Sequence, residues 1–180
     1  MGKRSNFERR ERDFYPTPFS AVFPLIKHLK KGDTFSEPCC GQNDLVQHLQ
    51  FYNFMCTSAT DIDRGFDLFN IKPHDFSVIS SKYFITNPPW PQASGRGEPT
   101  LKIIKHLSAL KPTWLLLPAD FCQNKYFNLV SNYCSKIIAV GRVKWIKGSK
   151  HVSKENCCWY LFNKHNKKIT KFYGREQRAA

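Results

Sequence analysis

The sequence predicts an α/β domain with a mostly parallel sheet covered by helices on both faces and an antiparallel pair of strands at its C-terminal edge. Three observations predict it. Short β-rich apolar runs alternate with stretches of helical periodicity through much of the chain, and that alternation builds parallel sheets. The last two β-rich runs are joined only by a basic loop, which suits an antiparallel pair. At 180 residues the chain is long enough for one sizeable core with short appendages.

The elements follow in order. Residues 1–12 form a polar arm charged by Lys3, Arg4, Arg9, Arg10 and Arg12. Such an arm is either a tail or a grip on phosphates. Asp13-Phe14-Tyr15-Pro16-Thr17-Pro18 reads as an extended lead-in stiffened by proline. Residues 18–30 read as a helix, with Val22, Leu25, Ile26 and Leu29 at helical spacing. Gly32-Asp33 turns the chain into a strand at 34–36, and 44–50 reads as the helix after it. A second strand spans 54–60, and a short strand or turn lies at 67–70. The apolar run 83–86 reads as a buried strand. Residues 101–110 are amphipathic, with Leu101, Ile104, Leu107 and Leu110 in step. A strand at 113–117 is stopped by Pro118, and 124–133 is expected to be helical. Residues 137–145 and 157–162 are the closing strands. The expected division is an arm at 1–12, one folded domain at 13–163, and a basic tail at 164–180.

Composition narrows the partners. The chain has 28 basic and 14 acidic residues, a formal net charge of +14. That excess favours a polyanionic partner: DNA, RNA or an anionic membrane. No apolar run is long enough to span a bilayer. The N-terminus lacks the apolar core of a secretory signal. Seven cysteines, an odd number that includes the doublets Cys39-Cys40 and Cys157-Cys158, argue against a disulfide framework. A reducing cytoplasm is therefore expected. There is no Cys-x-x-Cys pair and the histidines show no ligand spacing, so no metal is expected.

Asn87-Pro88-Pro89-Trp90, at the end of the 83–86 run, carries the most chemical information. An adenine amino group is a poor nucleophile because its lone pair is delocalised into the ring. Two acceptors can hold both amine hydrogens and aim the nitrogen at an electrophilic methyl. The Asn87 side-chain oxygen and the Pro88 carbonyl are candidates. Pro88 and Pro89 fix the backbone and bring no competing N–H. Trp90 offers a face for a flipped base. A Pro-rich turn capping a strand is the plainer reading.

Its neighbours add a second pattern. The first strand runs into Glu37-Pro38-Cys39-Cys40-Gly41-Gln42-Asn43-Asp44. Gly41 permits a tight turn and the following helix presents unpaired N–H groups. Glu37 can accept from an ammonium. Asp61, twenty residues past Gly41, stands where a ribose diol is bound in such sheets, and Asp67 can accept from an adenine amine. Together these suit a nucleoside with a cationic amino-acid tail, as in S-adenosylmethionine.

These motifs resemble, in order, those of the S-adenosylmethionine-dependent adenine-N6 DNA methyltransferases whose cofactor motif comes first in the chain. Tyr15-Pro16-Thr17-Pro18 resembles the opening motif, and Glu37-Pro38-x-Cys40 the first-strand motif. Asp61-Ile62-Asp63 resembles the ribose-binding acid, Asp67-Leu68 the adenine-binding pair and Asn87-Pro88-Pro89-Trp90 the catalytic tetrapeptide. Leu115-Leu116-Leu117-Pro118-Ala119 resembles a later core strand. The resemblance covers about residues 13–162 and implies a Rossmann-like class I methyltransferase fold. It implies S-adenosylmethionine held by Tyr15, Thr17, Pro18, Glu37, Cys39, Gly41, Asp61, Ile62, Asp67, Leu68 and Asn87. It implies catalysis at Asn87, Pro88, Pro89 and Trp90, with DNA as the partner. Trp145, Arg96, Lys147 and Lys150 join Trp90 as candidate substrate contacts, from the rim segments 91–100 and 144–155. Asn43 departs from the pattern, since the family usually has a second small residue there. The absence of a separate target-recognition domain resembles compact phage-borne members. An RNA adenine methyltransferase, a protein glutamine methyltransferase and a non-catalytic nucleic-acid-binding module remain as alternatives. The oligomeric state is left open.

Overall fold

The computed structural model describes residues 15–90, 97–150 and 152–175. Helices α1 (Phe19–Ile26), α2 (Asp44–Phe51), α3 (Phe76–Ile79) and α4 (Glu98–Leu110) surround seven strands. These are β1 (Thr34–Glu37), β2 (Met55–Ala59), β3 (Tyr83–Thr86), β4 (Thr113–Pro118), β5 (Cys134–Gly141), β6 (Cys157–Phe162) and β7 (Lys171–Tyr173). They form one sheet in the order β2-β1-β3-β4-β6-β5-β7. All neighbours pair in parallel except β6, which runs against both β4 and β5. The mostly parallel sheet with an antiparallel C-terminal side is thus observed.

Side-chain alternation along the strands sorts the core into two layers. Phe35, Ile85, Trp114, Leu116, Ile138 and Trp159 pack with Ala21, Val22 and Leu25 of α1 and with Leu45, Val46 and Leu49 of α2. The other face presents Phe84, Leu115, Leu117, Ile137, Tyr160 and Phe162, covered by Leu101, Ile103, Ile104 and Leu107 of α4. The β4 register explains the split, because its six residues are all buried and Trp114, Leu115, Leu116 and Leu117 alternate between the layers. The Trp159 indole N–H donates to the Ala21 carbonyl at 2.7 Å, which ties α1 to the sheet.

Several elements differ from expectation, each for a local reason. The first helix ends at Ile26, and the chain continues in three-residue turns, His28 N–H to Leu25 O (2.9 Å) and Leu29 N–H to Ile26 O (3.2 Å). Residues 67–70 resolve as a 3₁₀ turn, Leu68–Asn70, capped by the Asp67 carboxylate accepting from the Phe69 N–H at 2.9 Å. The expected helix at 124–133 is two 3₁₀ turns, Lys125–Leu129 and Ser131–Tyr133. Asn and Ser side chains there bond to the backbone instead, as Asn124 does to the Asp120 carbonyl at 2.8 Å. Strand β5 starts earlier than expected and stops at Gly141, not at Trp145. Gly141 has φ 89°, and a Cβ there would meet the Arg175 guanidinium at 3.1 Å. Two elements have no sequence signal. Helix α3 is too short to show periodicity, and β7 lies in the polar tail, where it pairs in parallel with β5. Among the described residues no helix is long and apolar enough to cross a membrane, and no group of three or more His, Cys, Asp or Glu side chains could hold a metal. All seven cysteines are free thiols.

Candidate functional site

The chain passes from β1 to β2 on one side of the sheet and then crosses to β3 on the other. At that reversal the loops after β1 and β3 diverge and leave a crevice at the C-terminal strand ends. A cavity of about 370 Å³ lies among these loops. Its walls include Tyr15, Thr17, Glu37, Cys39, Gly41, Asp61, Ile62, Asp67, Leu68, Asn87 and Pro89. Residues from five separate sequence motifs therefore meet at one place. Pro18 does not join them. It precedes α1, and its carbonyl accepts from the Ala21 N–H at 2.8 Å, which starts the helix. Phe66, Phe69 and Ile103 also line the cavity, along with Gln42, Asp44 and Leu45. The sequence gives no signal for Phe66, Phe69 or Ile103, since an apolar wall residue reads like a core residue.

The loop after β1 is a left-handed turn. Gly41 has φ 48° and Asn43 has φ 68°. The second value explains the departure at position 43. The backbone there needs the conformation that glycine adopts most readily, and asparagine is among the few other residues that tolerate it. The loop after β2 clamps this turn. The Asp61 carboxylate accepts from the Gly41 N–H at 2.8 Å and from the Asp63 N–H at 3.0 Å. Arg64 donates to the Gly41 carbonyl at 2.7 Å. Asp61 thus has a structural duty that its sequence position does not reveal.

Glu37 ends β1 with its side chain only 1% exposed. The Cys39 N–H approaches one carboxyl oxygen at 3.4 Å. The other oxygen, and the nearby strand-end hydroxyl of Thr86, are buried with no well-formed hydrogen bond among the described residues, although Thr86 lies close enough to favour the carboxylate form. Burial pushes the Glu37 pKa up to about 8. Burial also raises the pKa of the Cys39 thiol, with the Glu37 charge next in effect, so no thiolate is available there.

Asn87 leaves β3 at the opposite wall. Its amide nitrogen donates to Thr17 Oγ1 at 3.1 Å and lies 3.5 Å from the Tyr15 carbonyl. Its oxygen accepts from the Trp90 indole N–H at 3.2 Å. The same N–H donates to the Leu116 carbonyl of β4 at 2.9 Å. An indole N–H can only donate, so the Asn87 atom facing it must be the oxygen. Pro88 is buried and Pro89 exposed. Trp90 packs against both core layers and meets the Trp145 ring edge-on, with centroids 5.2 Å apart. Tyr15 lies 6.3 Å from Trp145. Trp145 therefore joins the tetrapeptide although it sits in the loop beyond β5 rather than at a strand end. Lys147 and Lys150 are exposed on that loop. Arg96 lies outside the described residues. Gly97, which follows it, starts α4 at φ 68°, where a Cβ would come within 2.7 Å of the Tyr126 ring.

No protein-family model matches the sequence, and no curated protein does. Among solved structures the chain is similar to a modification subunit of a proposed type I restriction enzyme from Vibrio vulnificus YJ016. The identity is 9%, the TM-score 0.56, and the match covers 93% of this chain and 48% of that one. The chain thus spans about half the length of that subunit. It is also similar to a proposed RNA methyltransferase from Pyrococcus horikoshii, at 12% identity and a TM-score of 0.51, covering 93% of each chain. At such identities the likeness is one of architecture. With the strand order and the antiparallel β6, it places this chain in the Rossmann-like class I methyltransferase fold.

Proposed function

We propose that this chain is an S-adenosylmethionine-dependent methyltransferase acting on the exocyclic amine of adenine in DNA. The observation that carries the reading is Asn87. Its side-chain oxygen is fixed as an acceptor on a proline-stiffened turn that walls the same cavity as the buried Glu37. The residues fit the cofactor. The unpartnered Glu37 oxygen suits its ammonium, the Asp61 and Asp63 loop its ribose, and Leu68, Phe66 and Ile103 the face of its adenine, with Asp67 near the amine. Tyr15, Thr17 and the Gly41 turn complete the wall. Bound there, S-adenosylmethionine supplies an electrophilic methyl group on a sulfonium. Asn87 Oδ1 and the Pro88 carbonyl accept from the amine and align its nitrogen. Trp90 and Trp145 form the aromatic side of the base site.

The deciding experiment incubates the protein with labelled S-adenosylmethionine and separate pools of DNA, RNA and protein, then identifies the modified group by mass spectrometry. N6-methyladenine in DNA is the expected product. Label confined to RNA adenine or to protein glutamine would replace the substrate assignment. Cofactor binding without transfer to any pool would leave a non-catalytic binding module.

Two further results are expected. Asp61→Ala weakens S-adenosylmethionine binding by about 1.5–3 kcal/mol, the range for hydrogen bonds to a charged group. It also lowers the melting temperature, because the Gly41 turn loses its clamp. Titration calorimetry and a thermal melt check both, and unchanged affinity would remove Asp61 from the cofactor site. DNA affinity rests on dispersed basic residues, among them Lys147 and Lys150, so log K should fall with log salt at a slope of about −0.9 per phosphate neutralised. A salt-independent affinity would contradict that account.

A further inference from the structure

The geometry points to a second duty for Trp90: its indole N–H is a positioning group that fixes the amide orientation of Asn87, apart from any stacking by the ring. The inference rests on the methyl-transfer reading but uses a contact that the reading does not need. Any aromatic side chain at position 90 would offer a face to a base. Only tryptophan among them carries a ring N–H that donates and cannot accept.

The bonds around Asn87 make orientation the issue. A carboxamide has one accepting and one donating end, and a half-turn about its last torsion exchanges them. Flipped, Asn87 would present N–H groups to an incoming amine and repel it. Two contacts oppose the flip. On one side, the Tyr15 carbonyl can only accept, and with Thr17 Oγ1 it faces the amide nitrogen. On the other side, the Trp90 N–H lies 3.2 Å from the oxygen. That N–H is itself held at 2.9 Å by the Leu116 carbonyl on β4, a strand buried along its whole length. The sheet thus anchors the indole and the indole orients the amide. A carbonyl oxygen has two lone pairs, so Asn87 Oδ1 keeps one for substrate while the other accepts from Trp90.

The test separates the N–H from the ring. Trp90→Phe keeps an aromatic face and removes the donor. Single-turnover methyl transfer should fall about tenfold or more, with KM for DNA within about twofold of wild type. A carboxylate accepts at both ends, so Asn87→Asp has no orientation to lose. In that background the added effect of Trp90→Phe should shrink to about twofold or less, a coupling that a double-mutant cycle reads. An equal loss in both backgrounds would show that position 90 acts through packing, and a rise in KM alone would show stacking only. Either result overturns the inference, as does unchanged turnover in Trp90→Phe. A second readout needs no substrate. In nitrogen-15 spectra of the unliganded wild type, the Trp90 indole N–H should exchange slowly with solvent and the Asn87 amide should give two sharp signals. Trp90→Phe should broaden or shift those amide signals, and unaltered signals would refute the contact. Failure of methyl transfer by the wild type would sink the functional reading and leave this spectroscopic test standing.

Discussion

Asn87→Ala is expected to cut single-turnover methyl transfer roughly a hundredfold or more and leave S-adenosylmethionine affinity near the wild-type value. On the proposed mechanism the magnitude follows from losing a positioned acceptor that acts in the transition state. The split between turnover and affinity follows from geometry. The Asn87 amide is bonded to Thr17 and Trp90, while the buried carboxyl that we propose takes the cofactor's ammonium is that of Glu37. The substitution also leaves the Trp90 N–H its stronger partner, the Leu116 carbonyl, so the fold should tolerate it. Rapid-quench assays with excess enzyme measure the rate, and calorimetry measures the affinity. Retention of most of the transfer rate would eliminate Asn87 as the amine acceptor.

Glu37 carries the second large effect, and its sign can be worked out. Its folded pKa is about 8, against an ordinary value of 4.5. Between these values the folded chain binds more protons than the unfolded chain, so stability falls as pH rises through that window. The contribution is complete below about pH 4.5 and gone above about pH 8. At about 1.36 kcal/mol per unit, the change across the window is on the order of 5 kcal/mol. Glu37→Gln keeps the shape and removes the proton, so its melting temperature should stay flatter from pH 5 to 9 than that of the wild type. Parallel melting curves would refute the buried neutral carboxyl.

The same group should shape the pH dependence of cofactor binding. If Glu37 takes the ammonium as proposed, its carboxyl must lose its proton to do so below about pH 8. Affinity should then fall by up to tenfold per pH unit on the acid side, as for any binding that releases one proton. On the basic side the cofactor's own amino group loses its charge near the ordinary value of about 8. Wild type should therefore show a maximum, while Glu37→Gln binds more weakly and lacks the acid limb. Calorimetry in buffers of different ionisation enthalpy would reveal the proton released.

The sequence by itself determined the layered α/β architecture and most of the cavity wall. It did so because both signals are local. Strand and helix periodicity show in a few neighbouring residues, as in Tyr83–Thr86 and Glu98–Leu110. Motifs that end strands, such as Glu37 to Gly41 and Asn87 to Trp90, fall at the C-terminal rim once the strands are parallel. Tertiary structure alone decided what crosses between elements. Asn87 meets Thr17 across 70 residues, and Trp90 meets Leu116 across 26. Phe66, Phe69 and Ile103 became wall residues, Trp145 reached the tetrapeptide from a loop, and β7 joined the sheet from a polar tail. Such contacts depend on strand order and on how crossovers stack the layers. No window of sequence contains that information, because the two halves of each contact are ordinary residues until the sheet brings them together.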